Sequence, residues 1–370
     1  MDTSGKVRTT VAVGMSGGVD STMAAFLLKR QGYEVIGLTM QIWDASLPLK
    51  DEGRSGCFGP GEARDLEAAR AQAERLGIPH HTIALAREYA AEVLDYFRRE
   101  YLAGRTPNPC LRCNRAIKFG LLLERARAQG VAFHAFATGH YARVERDAAS
   151  GRHRLLRGVD HAKDQSYFLA RLSQNQLSQV LFPLGHFTKA EVKALAREMG
   201  WSDLADKPES QNFIESRDYG VLFDAAASRP GPMLDPQGRV VGEHRGIVHY
   251  TVGQRKGLGL SGAREPLYVL RVDACANTVT VGTRADVFAV RLRAADLNWI
   301  SIERTPGEEL RVKARIRQQH QPADAIVEAA ADDGSKVSVT FNEPQMAVTP
   351  GQAVVFYDGD IVLGSGIIQS

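Results

Sequence analysis

Cys110 and Cys113 are separated by two residues, and Arg112, Arg115 and Lys118 lie close to them in sequence. Thr106-Pro107-Asn108-Pro109 precedes them, two prolines that hold an extended loop ahead of a helical period running from Ile117 to Gln129. Cys113 is therefore expected near a helix N-terminus with cations beside it, and both features favour the thiolate. A thiolate is the nucleophile that sulfur transfer requires. The same pair is compatible with half of a zinc site, although no second pair exists, with a redox disulfide, or with two plain buried thiols.

A second string with chemistry in it is Gly14-Met15-Ser16-Gly17-Gly18-Val19-Asp20-Ser21. It joins a short apolar strand pattern, Val11 to Val13, to a helical run from Ser21 to Gln31. Glycines let backbone N–H groups approach a phosphate, and the start of the helix favours an anion. Ser16 and Ser21 add hydroxyl donors, and Asp20 is a candidate ligand for magnesium on the phosphates. Neither the Walker nor the dinucleotide pattern is present, and a ligand-free glycine turn is the plain alternative. The full S-G-G-x-D-S string resembles the pyrophosphate loop of the ATP pyrophosphatases. That resemblance implies cleavage of ATP to AMP and pyrophosphate, commonly by adenylating an oxygen that is then displaced.

The elements that must position these strings alternate. Glu34–Met40 and His80–Leu85 read as strands, and Ala63 to Leu76 as a helix with one apolar face. Phe133–Thr138 reads as a further strand, and Thr188 with Glu191 opens a capped helix that runs to Met199. This is an α/β pattern with a parallel sheet. Beyond Pro230 short alternating strands take over: Arg311–Ile316, Ala325–Val327, Lys336–Phe341 and Ala353–Tyr357, with a hairpin turn at Asp358-Gly359. The expected organisation is a catalytic domain over 1–207, a small central adapter over 208–285 and a barrel-like β domain over 286–370. The 370 residues carry a net charge of only +3, so any nucleic-acid surface must be local. No signal peptide is legible, no run reaches the ~18 apolar residues of a membrane helix, and four scattered cysteines argue against a disulfide framework. A cytoplasmic protein without a membrane partner is expected.

Thr106 to Gly120 closely resembles the nucleophile motif of the bacterial tRNA-specific 2-thiouridylases. Further strings of that family recur: Leu38-Thr39-Met40, Gly56-Cys57, Ala137 to Ala142, Lys163 to Leu169, Lys207 to Gln211 and His249 to Gly259. The resemblance implies an ATP-dependent tRNA-uridine 2-sulfurtransferase with a pyrophosphate-loop fold. It implies ATP contacts at Gly14, Met15, Ser16, Gly17, Gly18, Val19, Asp20, Ser21, Met40 and Gly139, and a nucleophile at Cys113. It places Asn108, Pro109 and Cys110 beside the target base. It implies tRNA contacts at His140, Lys163, Asp164, Gln165, Arg315, Ile316 and Gln352. The partners implied are tRNAs for lysine, glutamate and glutamine, and a sulfur donor such as a cysteine desulfurase or relay protein.

The family's second cysteine, soon after the Pro-Glu-Ser-Gln segment, is missing. Here Gln211-Asn212-Phe213-Ile214-Glu215-Ser216 stands, about two residues shorter. Three replacements are open: Cys110 as the partner thiol, an iron–sulfur cluster on Cys57, Cys110 and Cys113, or direct attack by sulfide or a donor's persulfide. The first is preferred, and Cys275 is read as structural, inside a β segment from Arg271 to Val279. Arg311, Lys313, Arg315 and Arg317 alternate along one strand and form a candidate phosphate stripe, or else a solvated strand face. A second basic stretch is Arg98, Arg99, Arg105, Arg112 and Arg115. The competing functions are another ATP pyrophosphatase ligase, which does not need Cys113, and a non-catalytic tRNA-binding homologue.

Overall fold

The computed structural model describes residues 9–49, 56–207, 212–216, 218–224, 227–260, 265–303, 308–329 and 335–370. The chain divides into two compact units. The first comprises Met1–Glu92, Cys110–Ser216 and Asp360–Val362; the second comprises Val93–Pro109, Arg217–Gly359 and Leu363–Ser370. No described helix is long and apolar enough to cross a membrane.

The strands described in the first unit are β1 (Thr10–Gly14), β2 (Glu34–Gln41), β3 (Gly56–Phe58), β4 (His80–Ala84), β5 (Ala135–Ala137), β6 (Ala142–Arg146), β7 (His153–Arg157), β8 (Val180–Leu181) and β9 (Asn212–Ile214). Five of them form a parallel sheet in the order β4-β2-β1-β5-β8. The chain fills one side of β1 first and the other side afterwards, so the connections leaving β1 and β5 diverge. In open α/β sheets that divergence makes the ligand crevice. Val11, Ala12 and Val13 are fully buried because both faces of the sheet are covered.

Helix α1 (Val19–Arg30) buries Met23, Ala24, Leu27 and Leu28 against the sheet, and α2 (Glu62–Leu76) buries Ala69, Ala73 and Leu76 beside it. Each such large aliphatic side chain contributes roughly 1.5–3 kcal/mol. The capping box read at Thr188 is present, with the Thr188 hydroxyl accepting from Glu191 N–H and the Glu191 carboxylate accepting from Thr188 N–H. It opens the helix Lys189–Glu198. The antiparallel pair β6–β7, which the sequence reading did not anticipate, is extended by Ile361 and Val362 against Leu156 and Leu155.

In the second unit β10 (Gly231–Leu234), β11 (Val240–His244), β12 (Tyr268–Asp273) and β13 (Thr278–Gly282) form one sheet. A closed barrel follows: β14 (Phe288–Trp299), β15 (Glu309–Arg315), β16 (Ala323–Ala329), β17 (Val337–Met346), β18 (Ala353–Asp358) and β19 (Ile361–Ile368). The pairing of β14 with β19 closes it, so these six strands form a ring. Cys275 lies in the turn between β12 and β13, exposed, rather than within a strand, so it supports no core.

Candidate active site

The glycine loop sits at the C-terminal end of β1, where the two halves of the parallel sheet part. Gly17 has φ +69°, and a Cβ there would lie 2.6 Å from the Ala68 Cβ, so only glycine lets the loop rest on α2. Ser21 is buried; its hydroxyl accepts from Ser16 N–H at 3.2 Å and donates to Gly18 O at 3.2 Å. These bonds close the loop on itself and leave the Ser16 side chain exposed. Met15 and Val19, both expected at ATP, bury their side chains. Met40 is half-buried at the end of β2, and neighbouring Thr39 donates to Met15 O at 2.8 Å.

Gly139 follows β5. A Cβ at this position would stand 2.6 Å from Asp20 C and 2.8 Å from Ser21 N. Its glycine therefore serves the approach of two protein segments, β5's end and the first turn of α1.

Asp20 was expected as a metal ligand. Its Oδ1 accepts from the Tyr141 hydroxyl at 2.8 Å, and both of its oxygens accept from Lys189 Nζ at 2.8 Å. In this structure Asp20 is thus the ion-pair partner of the buried Lys189, whose charge it balances. Lys207 adds a second cation, donating to Gly17 O at 3.3 Å. Lys189 escaped the motif reading, and Tyr141, inside the Ala137 to Ala142 string, was given no role there. One signal was present: a lysine in the first turn of a helix opposes the helix dipole, so it needs an anionic partner elsewhere.

The cysteine helix begins earlier than its periodicity suggested. Pro109–Arg112 is already helical, Cys113–Leu121 forms a π-helical stretch and Leu122–Ala128 continues as an α-helix. Proline starts it because the first turn needs no N–H from that residue. Cys113 thus lies a turn inside the helix and does not receive its N-terminal field. Burial pushes the Cys113 thiol up to about 11, with Lys118 pulling the other way, and pushes Cys110 up to about 12. The expected thiolate is overturned for the free protein: desolvation outweighs the nearby cation.

Cys57 carries an exposed surface on β3, yet burial also raises its thiol. β3 pairs in parallel with β9, Gly56 against Asn212 and Phe58 against Ile214, which sets Cys57 beside the segment where the missing cysteine was sought. Glu215 closes that segment, its carboxylate accepting from Gly61 N–H at 2.8 Å. Pro208 to Gln211 lie outside the described residues. The described residues contain no group of three or more His, Cys, Asp or Glu able to hold a metal ion. Cys57, Cys110 and Cys113 therefore do not fit as an assembled ligand set for an iron–sulfur cluster.

His140 stacks obliquely near Phe119, 6.0 Å between centroids, and its Nδ1 shares a 2.7 Å hydrogen bond with the Thr138 hydroxyl. Burial holds its pKa well below the ordinary value of 6.5, so the ring is neutral. Through Phe119 and Phe136, 5.4 Å apart, the cysteine helix packs on β5. Asp164 is buried and accepts from Ser166 N–H at 3.0 Å and from Gly158 N–H at 3.3 Å. Gln165 accepts from Tyr141 N–H at 3.0 Å. These two side chains anchor the turn that presents the half-buried Lys163.

The remaining expected tRNA residues belong to the second unit, as do Asn108 and Pro109. Gln352 donates to Thr106 O at 2.9 Å and Pro107 O at 3.3 Å, and so holds the strap ahead of Asn108. Ile316 is buried. The four-cation stripe breaks down: Arg315 is buried and donates to Gln318 O, Arg317 donates to Met346 O at 2.9 Å, and Lys313 pairs with Asp324 at 2.9 Å. Strand alternation ends with β15, and the turn beyond it folds the two arginines onto backbone carbonyls. In the second basic stretch Arg105 is paired with Glu100, Arg98 with Asp95 and Arg112 with Glu92.

Three family models match the chain in succession. They are described as a tRNA methyl transferase HUP domain over residues 9–215, a tRNA methyl transferase PRC-barrel domain over 220–283 and an aminomethyltransferase β-barrel domain over 277–368. The tRNA-specific 2-thiouridylase MnmA 2 of Thermoanaerobacter pseudethanolicus is 47% identical over 370 residues, covering 98% of this chain and 99% of that one. MnmA of Acetivibrio thermocellus is 47% identical over 364 residues, covering 97% and 99%. MnmA of Heliobacterium modesticaldum is 48% identical over 370 residues, covering 98% and 93%.

Proposed function

The chain belongs to the tRNA-specific 2-thiouridylase family, and from that membership we propose that it uses ATP to replace the 2-oxygen of the wobble uridine of tRNA with sulfur. The observation that carries the reading lies within the first unit: a glycine loop at the sheet's switch point, and a Cys110/Cys113 helix packed on the neighbouring strand through Phe119.

The loop's N–H groups, with Lys189 and Lys207 beside them, bind the triphosphate and hold negative charge as it develops. The uridine 2-oxygen attacks the α-phosphate, pyrophosphate leaves, and carbon 2 becomes an electrophile with AMP as its leaving group. A donor's persulfide passes its sulfane sulfur to Cys113. The terminal sulfur of that Cys113 persulfide bonds to carbon 2, and AMP departs. Cys110, one turn away on the same helix, then attacks Cys113 Sγ. The sulfur–sulfur bond to the base breaks, the thiouridine leaves with both electrons of that bond, and a Cys110–Cys113 disulfide remains for an external dithiol to reduce. The side chains of Asp20 and Asp164 act as scaffold in this reading, holding Lys189 and the Lys163 turn. The substrates are tRNAs for lysine, glutamate and glutamine in the cytoplasm, and the sulfur comes from a cysteine desulfurase or relay protein. Asn108, Pro109, His140, Lys163, Arg315, Ile316 and Gln352 are proposed tRNA neighbours on the resemblance alone.

A second reading gives the partner role to Cys57, because β3 lies against the segment that lacks the family's cysteine. The test is sulfur incorporation into unmodified tRNA with ATP, a desulfurase and cysteine. Loss in Cys113→Ser and in Cys110→Ser supports the relay as written. Retention in Cys110→Ser with loss in Cys57→Ser moves the partner role to Cys57. tRNA binding with no sulfur transfer from any donor would leave only a binding protein, and pyrophosphate release without tRNA would point to a ligase.

A further inference from the structure

We propose that Gln176 is a positioning residue for sulfur transfer, its side-chain amide holding Cys113–Leu121 in the π register and thereby setting the direction of the Cys113 thiol. The proposal rests on Cys113 being the nucleophile of the reading above.

Gln176 is tied at both ends of its amide. Its Oε1 accepts from Ser173 N–H at 3.0 Å, while its own N–H donates to the Ser173 hydroxyl at 3.2 Å, a reciprocal helix cap. That bond settles the amide's orientation, because the oxygen must face the Ser173 N–H. The NH2 group therefore points the other way, and it donates to Arg115 O at 2.7 Å and to Phe119 O at 3.0 Å. Both of its N–H donors are spent on two carbonyls one turn apart, and both carbonyls belong to the π stretch.

A π-helical run is rare and has to be held. A donor from outside that captures helix carbonyls keeps them from the i→i+4 ladder, a recognised cause of helix distortion. Asn114, Ile117 and Phe119 of the run are buried in the first unit's core, and Asn114 donates to Phe168 O at 3.0 Å. Cys113 is the first residue of the run. Collapse of the stretch to the α register would turn Cys113 about the helix axis relative to these anchors and re-aim the thiol. Gly120 matches the clamp, since a Cβ there would stand 3.2 Å from Arg115 O. Gln176 borders an open groove of about 390 Å³ between the Ser173 turn and this helix, so changing its amide leaves no sealed cavity.

Gln176→Glu isolates the effect. Glutamate preserves the length and the capping box but presents an acceptor to two carbonyls when ionised. We expect tRNA-dependent pyrophosphate release to stay within about twofold of the parent and sulfur transfer at pH 8 to fall about 10- to 100-fold. Lowering the pH protonates the carboxyl, restores one donor and recovers transfer, an acid-side recovery the parent lacks. Equal loss of both steps, or unchanged sulfur transfer at pH 8, would overturn the proposal. Cys113→Ser is measured alongside: retained transfer in that variant removes the nucleophile reading itself. Its loss, with Gln176→Glu unaffected, removes only the role of Gln176.

Discussion

The chemistry of Cys113 is decided by what surrounds it. Arg112, Arg115 and Lys118 are adjacent in sequence and argue for a thiolate, but burial raises the thiol to about 11. The free protein therefore holds this sulfur protonated at neutral pH. Alkylation of Cys113, followed by peptide mass spectrometry, should accelerate about tenfold per pH unit up to pH 10. Lys118→Met should slow it further, because the remaining causes, desolvation and Cys57, both raise the thiol. A rate independent of pH would mean that the thiolate is already formed. The sign for stability follows from proton counts. Between the unfolded value near 9.0 and the folded value near 11, the unfolded chain has released the proton and the folded chain retains it. This group's contribution is complete below pH 9 and is lost as pH rises through 11. The residue types of the site were legible in two short strings. The protonation state was not, since it depends on burial in the folded chain and on the charge of Cys57, a residue remote in sequence.

Two elements hold the nucleotide loop, and each can be tested without touching its own residues. Gly139→Ala would press a methyl group into Asp20 and Ser21 at the first turn of α1. Overpacking of this kind costs about 1–3 kcal/mol, so ATP-dependent pyrophosphate release should fall roughly 5- to 100-fold with the far-ultraviolet circular dichroism unchanged. Normal release would show that the two segments separate freely. The helix Lys189–Glu198 delivers a cation to Asp20. Lys189→Met leaves that carboxylate without its charged partner and should raise the KM for ATP about 10- to 100-fold. Thr188→Ala should lower stability by about 1 kcal/mol through the lost cap and leave that KM alone. A shift in KM equal to that of Lys189→Met would mean that Lys189 acts only through helix stability. Element types were readable from periodicity: β1, β2, α2 and the capped helix lie where their patterns place them. The cysteine helix was misjudged by eight residues at its start, because Pro107 and Pro109 read as loop while Pro109 in fact opens the helix.

At the scale of the whole molecule, the first unit depends on residues close to the C-terminus. Asp360 pairs with Arg143 at 2.7 Å, Asp360 O accepts from Arg157 N–H at 2.9 Å, and Val362 is fully buried beside Leu155. Val362→Asp buries an unpaired carboxylate at that strand, a change that costs about 3 kcal/mol or more. Scanning calorimetry should show the ATP-protected transition lowered by about 6–12 °C; an unshifted transition would mean that β6 and β7 hold without it. The sequence by itself carried the resemblance to the family, the α/β sheet with β domains behind it, and the two strings that carry chemistry, because motif strings, loop glycines, paired cysteines and periodicity are local features. Only the tertiary structure decided that Asp20 is held by Lys189, that Gln176 grips the cysteine helix, that the arginines of β15 and the turn after it are spent on carbonyls, and that Cys57 lies beside the segment lacking its cysteine. Each of these is a contact between residues distant in sequence or a consequence of burial, and neither pattern nor propensity encodes which distant groups desolvate or neutralise one another.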